Sequence, residues 1–241
     1  MKKFAWILVA MLIASTAFGA DVLSKNAVGF VKITIPAKQY EALSIPFNDS
    51  VDTEGIAWTN TAIAKDAVNG STVYFWNGET QNWDFGTLTK NNTRTQWAVK
   101  VRSRKIKPGE MFLYKPATEQ TVTISGEVPE EKTLDVAINA GKIYSAIGNP
   151  YPCDIEWTNT PVAEAANNGD TVYFWNVETQ NWDFGTLTKN NTRTQWAVKV
   201  RSKVLEPGHG VFFKAAGSAE AKAVTFDRPY KWPKPENEAA E

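Results

Sequence analysis

The chain has 241 residues, with 26 Lys+Arg against 26 Asp+Glu, one His and one Cys. The balanced charge gives no electrostatic case for nucleic acid, which selects a strongly basic domain. The single cysteine, Cys153, excludes an intramolecular disulfide and reads as an inert buried side chain, so the fold rests on a hydrophobic core, which two domains of ~100 residues can supply.

The first element is a targeting segment. Lys2 and Lys3 precede an apolar run, 4–13, and small residues follow up to Ala20. The run is short for a membrane span, and Ala17-Phe18-Gly19 fits a small-x-small cleavage rule, so residues 1–20 read as a signal peptide. Its removal takes away two lysines and leaves a formal charge of −2. No later stretch is apolar enough to span a bilayer, so no membrane span is expected in the mature chain.

Strand patterns follow in order. Residues 28–35 (VGFVKITI), 72–76 (TVYFW), 111–115 (MFLYK) and 121–125 (TVTIS) are rich in β-branched and aromatic residues. Residues 95–101 (TQWAVKV) alternate, with Thr95, Trp97, Val99 and Val101 on one face, which predicts a half-buried strand. Pro108-Gly109 and Pro207-Gly208 mark turns before strands. Thr160-Pro161 offers an N-cap and a first helical position ahead of Gly169, so 160–169 predicts a short helix, and 61–70 takes the same slot earlier in the chain.

An internal repeat organises these elements. Residues 72–103 and 171–202 differ only at Gly78 against Val177. The separation is a constant 99 residues from Trp58/Trp157 to Pro108/Pro207. Upstream, Pro46-Phe47 aligns with Pro150-Tyr151 if five extra residues fall between 48 and 55. The expected architecture is mainly β: two tandem β-sandwich-like repeats, 26–127 and 134–227, each with about seven strands and one short helix. A charged join, 126–133, links them. The tail 228–241, rich in Pro, charge and Ala, reads as disordered or loosely docked.

The repeated block contains a hairpin whose register follows from its loop. With 78–81 as the loop, Trp76 faces Trp83, Phe75 faces Asp84 and Tyr74 faces Phe85. Tyr74, Trp76, Trp83 and Phe85 then share a face, as do Tyr173, Trp175, Trp182 and Phe184. Such a row is either a sugar-stacking platform or the inward face of the sheet. Four exposed rings would exceed the apolar patch normal for a monomer. The rings are therefore expected in the core, with Phe75 and Phe174 towards solvent. The candidate ligand contacts are Phe75, Phe174, Trp76, Trp175, Trp83 and Trp182, together with Lys100, Arg102, Lys199 and Arg201. Those four basic residues belong to a strip with Arg104 and Lys203, suited to acidic polysaccharide or lipid A-type phosphates, or to guarding a sheet edge.

Motifs for catalysis are sparse. His209 stands alone, no Gly-x-Ser-x-Gly elbow accompanies it, and no Cys/His spacing suits zinc. No catalytic residue, cofactor or metal is therefore expected. A pair of carboxylates would suffice for glycoside hydrolysis, but Glu79, Asp84, Glu178 and Asp183 lie in duplicated hairpins, which suits a structural unit better than one asymmetric active site.

The runs IYSAIGNPYPCDIEW (143–157), TVYFWNVETQNW (171–182) and LEPGHGVFFKA (205–215) resemble a β-rich module of secreted and cell-surface bacterial proteins. Residues 26–37 (NAVGFVKITIPA) resemble the opening of exported bacterial proteins. Repeat one matches in its hairpin and in IKPGEMFLYKPA (106–117), with SIPFND where repeat two has the GNPYP run. The resemblance implies a surface or extracellular location and carries no activity. The combined expectation is an exported, non-catalytic structural or adhesive protein of the periplasm, envelope or extracellular space. Its partners would be polysaccharide, other envelope proteins or further copies of itself. The alternatives are a tandem carbohydrate-binding module, with avidity if both sites reach one polymer, and a protein associated with glycoside hydrolysis.

Overall fold

The computed structural model describes residues 27–49, 54–91, 93–217 and 220–232. The signal segment 1–20 lies outside them.

Each repeat is a small β-sandwich. In repeat one an antiparallel sheet runs β2 (Glu41–Ser44), β8 (Met111–Lys115), β4 (Thr72–Asn77), β5 (Asn82–Asn91), β6 (Arg94–Trp97). A two-stranded ribbon, β1 (Val28–Ile35) with β9 (Gln120–Glu127), covers one face of it. A second ribbon pairs β3 (Ile56–Ala57) with β7 (Lys105–Ile106). Repeat two reproduces this in the order β11 (Tyr144–Gly148), β17 (Gly210–Lys214), β13 (Thr171–Asn176), β14 (Asn181–Asn190), β15 (Arg193–Trp196). Its ribbons are β10 (Thr133–Ile138) with β18 (Lys222–Asp227), and β12 (Ile155–Glu156) with β16 (Val204–Leu205). The mainly β, two-sandwich expectation thus holds, with nine strands per repeat among the described residues rather than seven.

Period-two alternation divides each sheet into an inner and an outer face. Leu43, Val73, Phe75, Phe112 and Tyr114 point inward and meet Ile33, Ile35, Val122 and Ile124 of the ribbon. Trp58 sits at the centre, fully buried, with the rings of Trp97, Phe112 and Phe75 between 5.0 and 5.9 Å away at steep angles. Trp157 holds the same place in repeat two.

Two short helices stand in each repeat where one was expected. The first is α1 (Ala62–Asp66) in repeat one and α3 (Pro161–Glu164) in repeat two. Thr61 and Thr160 cap them: the hydroxyl accepts from the N–H of Ala64 or Ala163 and donates to the carbonyl of Trp58 or Trp157. The second helix overturns a strand. The alternating stretch 95–101 is β6 only to Trp97; the chain bends at Ala98 and forms α2 (Val99–Arg102), with α4 (Val198–Arg201) in repeat two. Four-residue spacing then decides burial: Trp97 and Val101 are buried, while Val99 is 66 % exposed. Lys100 and Arg102 therefore project from a helix rather than a strand face.

Of the two readings of the tail, docking holds for its first residues and disorder does not. Residues 228–232 dock: the Tyr230 hydroxyl donates to the Pro129 carbonyl at 2.7 Å, its ring meets Tyr151, and Arg228 lies against the Tyr230 and Trp232 rings. Residues 233–241 lie outside the described residues.

Candidate functional site

The hairpin register is as deduced: Trp76 opposite Trp83, Phe75 opposite Asp84, Tyr74 opposite Phe85, and likewise in repeat two. The inside and outside are inverted. Phe75 and Phe174 are 2 % and 7 % exposed, in the cores beside Trp58 and Trp157. The four-ring faces lie on the outer side of their sheets, where the two repeats dock onto each other. Solvent and the core of its own sandwich are not the only surroundings open to a large aromatic face; the other repeat is a third.

The docked faces form a seam with approximate two-fold symmetry. Trp76 donates its indole N–H to the Tyr144 carbonyl at 2.9 Å, and Trp175 donates to the Tyr40 carbonyl at 2.7 Å. Gln81 in one hairpin loop accepts from the Tyr144 N–H at 2.9 Å; Gln180 accepts from the Tyr40 N–H at 2.7 Å. The Ser44 N–H bonds the Gly208 carbonyl, and the Gly148 N–H bonds the Gly109 carbonyl. Within each repeat, Lys115 or Lys214 backs the seam tyrosine, Tyr40 or Tyr144, with its ammonium 4.7 Å from the ring. Each contact recurs with the halves exchanged, which is the geometry of an isologous interface.

Near the axis, where equivalent residues meet, the symmetry is broken by size. Met111 corresponds to Gly210, and a Cβ on Gly210 would stand 2.4 Å from the Met111 Cγ. Ser44 corresponds to Gly148, and a Cβ there would stand 2.5 Å from the Ser44 Cβ. Leu113 corresponds to Phe212, whose ring contacts Trp76, Trp83, Tyr144 and Trp182 at 5.0 to 5.6 Å. Large meets small at the Met111–Gly210 and Ser44–Gly148 pairs, so the faces interlock there.

The open side of the seam carries a continuous row of rings. Phe85 stacks on Tyr74 at 5.5 Å and Tyr74 contacts Trp83; Phe212 joins Trp83 to Tyr144; Tyr144 reaches Tyr173 at 5.5 Å, and Tyr173 reaches Phe184 at 5.6 Å. The two ends, Phe85 and Phe184, are 56 % and 58 % exposed. At the Phe184 end, Tyr144, Tyr173, Trp182 and Phe212 shape a concavity of about 380 Å³ with the Asn181 amide on its rim. Of the anticipated ring contacts, Trp76, Trp83, Trp175 and Trp182 are half-buried in or beside this row, while Phe75 and Phe174 lie on the inner sheet faces, away from it. Tyr40, Tyr144 and Phe212 complete it. They come from segments outside the duplicated block, and only the docking of the repeats reveals their role.

The basic strip is dispersed. Lys100 and Lys199 form ion pairs with Asp84 and Asp183 at 2.5 and 2.7 Å, and these ammonium groups hold both carboxyls below the usual carboxylate range. Arg102 and Arg201 remain exposed on α2 and α4.

One end of the seam holds a buried acid. Glu41, on β2, is 5 % exposed, and burial pushes its carboxyl up to about 7. His209 of repeat two places Nε2 3.9 Å from it and Nδ1 3.8 Å from the Glu206 carboxylate. Burial lowers the His209 pKa. No group of three or more His, Cys, Asp or Glu that could hold a metal occurs among the described residues, and no helix among them is long and apolar enough to cross a membrane.

The chain matches no protein-family model, no curated protein and no solved structure.

Proposed function

We propose that the protein is an exported, non-catalytic adhesive protein that holds carbohydrate on the aromatic row of its seam. The observation that carries this reading is the half-exposure of Phe85 and Phe184 at the ends of the row, beside the concavity at the Phe184 end. Sugar rings present C–H faces that stack on aromatic planes, and their hydroxyls need amide partners such as Asn181. The row is built by two docked sandwiches, so its spacing is rigid, which lowers the ordering cost of binding. Export is supported by the signal-like residues 1–20.

Retention on insoluble and soluble polysaccharides tests the reading. Phe184→Ala removes an exposed ring and leaves the seam closed, so it separates binding from folding. The wild type should be retained by at least one glycan and Phe184→Ala by much less. A wild type that binds none across a broad glycan panel removes the carbohydrate reading and leaves a structural role, which the interlocked seam favours.

A further inference from the structure

The two ends of the seam differ in charge at equivalent positions, and the difference leaves one of them short of a cation. In repeat one, Arg104 lies over the Phe75 ring, its Cζ 5.7 Å from the centroid, and donates to the Glu110 carboxylate. Its counterparts in repeat two are Lys203, Phe174 and His209. Lys203 turns to Asp183 instead, at 3.5 Å, where Lys199 already binds at 2.7 Å. Beside Phe174 a crevice of about 350 Å³ remains, lined by Glu41, Phe174, Trp175, Lys203, Glu206 and His209. Two of these residues are acidic, and the Lys203 ammonium is engaged with Asp183. The counterpart of Glu41 in repeat two is Ser145 and that of Glu206 in repeat one is Lys107, so the acids are particular to this end.

His209, which lines the crevice, carries an unsatisfied ring nitrogen. The Nδ1 of His209 is buried and has no hydrogen-bond partner, a condition that costs about 1–3 kcal/mol unless something fills it. Burying the Glu41 carboxylate without a cation is similarly unfavourable.

We infer that this crevice is a binding site for an organic cation, a guanidinium or primary ammonium group, seated over Phe174 between Glu41 and Glu206 where the Arg104 guanidinium sits in repeat one. Planar guanidinium suits it best, because it combines stacking on an aromatic face with forked donation to a carboxylate. Glu41 comes from repeat one and the remaining lining residues used here from repeat two, so an occupied crevice ties the two repeats together at this end. The site is separate from the aromatic row and does not depend on the carbohydrate reading.

Isothermal titration of the full chain with methylguanidinium at pH 8, where Glu41 is ionised, tests it. The other charged groups facing the crevice are Glu206, Lys203 with its partner Asp183, and His209, neutral at that pH. Saturable binding at one site per chain is expected. Glu41→Gln should weaken it at least tenfold. Lys203→Arg should weaken it as much without removing an acid, because the new guanidinium takes the seat in cis. Glu79→Gln, in the exposed hairpin loop, should bind as the wild type does. A Gly-Arg-Gly peptide distinguishes the source: tighter binding than methylguanidinium identifies an arginine side chain of a partner, and weaker binding a free small cation. No saturable binding by the wild type, or full binding by Lys203→Arg, overturns the assignment.

Discussion

Glu41 links the seam to pH, and replacing it with glutamine measures how much. Burial raises this carboxyl from its ordinary 4.5 to about 7, so the folded state binds its proton more tightly than the unfolded chain does. At about 1.4 kcal/mol per tenfold change in proton affinity, the difference amounts to roughly 3 kcal/mol once the group is fully ionised in both states. For a raised group, the stabilising contribution is fully present below pH 4.5 and is lost as pH rises through about 7. His209 acts in the opposite sense: its lowered pKa gives a contribution present above pH 6.5 that is lost as pH falls. Glu41→Gln removes the first dependence alone, and the Gln side-chain carbonyl still accepts from the backbone N–H of Ala42. The variant should match the wild type near pH 4.5 and exceed it by about 3 kcal/mol at pH 8.5. Urea unfolding followed by tryptophan fluorescence reads this as a midpoint shift of about 1 M or more. A difference that stays constant between these pH values, or a variant less stable at pH 8.5, would refute the reasoning.

Other perturbations follow from the fold. Phe75→Ala or Phe174→Ala should destabilise by about 3–5 kcal/mol in a thermal or denaturant melt, whereas Phe85→Ala, at an exposed end of the row, should stay within about 0.5 kcal/mol. Gly210→Met sets two methionines against each other near the axis and should cost about 1–3 kcal/mol or more. Adding Met111→Gly exchanges the pair across the pseudo-two-fold and should recover most of that loss in the same melt. Thr61→Ala and Thr160→Ala each remove a helix cap and should cost about 1 kcal/mol by calorimetry.

Local rules carried the sequence reading a long way. The hairpin loop fixed the Trp76/Trp83 register because side-chain alternation and loop length leave no other pairing, and Thr160-Pro161 announced α3 through capping chemistry. The choice of which hairpin face is buried was not legible, because both faces are apolar: Val73 and Phe75 on one, Tyr74 and Trp76 on the other. That choice is made by the ribbon β1–β9 on one side and by repeat two on the other, contacts between residues far apart in the chain. The break at Ala98 was hidden for a related reason. Val99 and Val101 suit a strand, and only the packing of Val101 beside Trp97 shows that the segment coils. Glu41 and His209 lie 168 positions apart, and nothing in either local sequence signals the other.

The large-against-small pairs near the axis bear on how many repeats this chain can hold. In a solenoid every unit keeps one face free for the next, so copies add without limit. Here each sheet has a ribbon on its inner face and the other repeat on its outer face. A third copy gained by duplication would find neither a vacant sheet nor a matching surface, since a repeat-one face opposes methionine to methionine at the Met111 position and a repeat-two face brings the Phe212 rings together. The architecture closes at two units, and from then on a size change at Met111, Leu113 or Ser44 has to be matched in the opposite half.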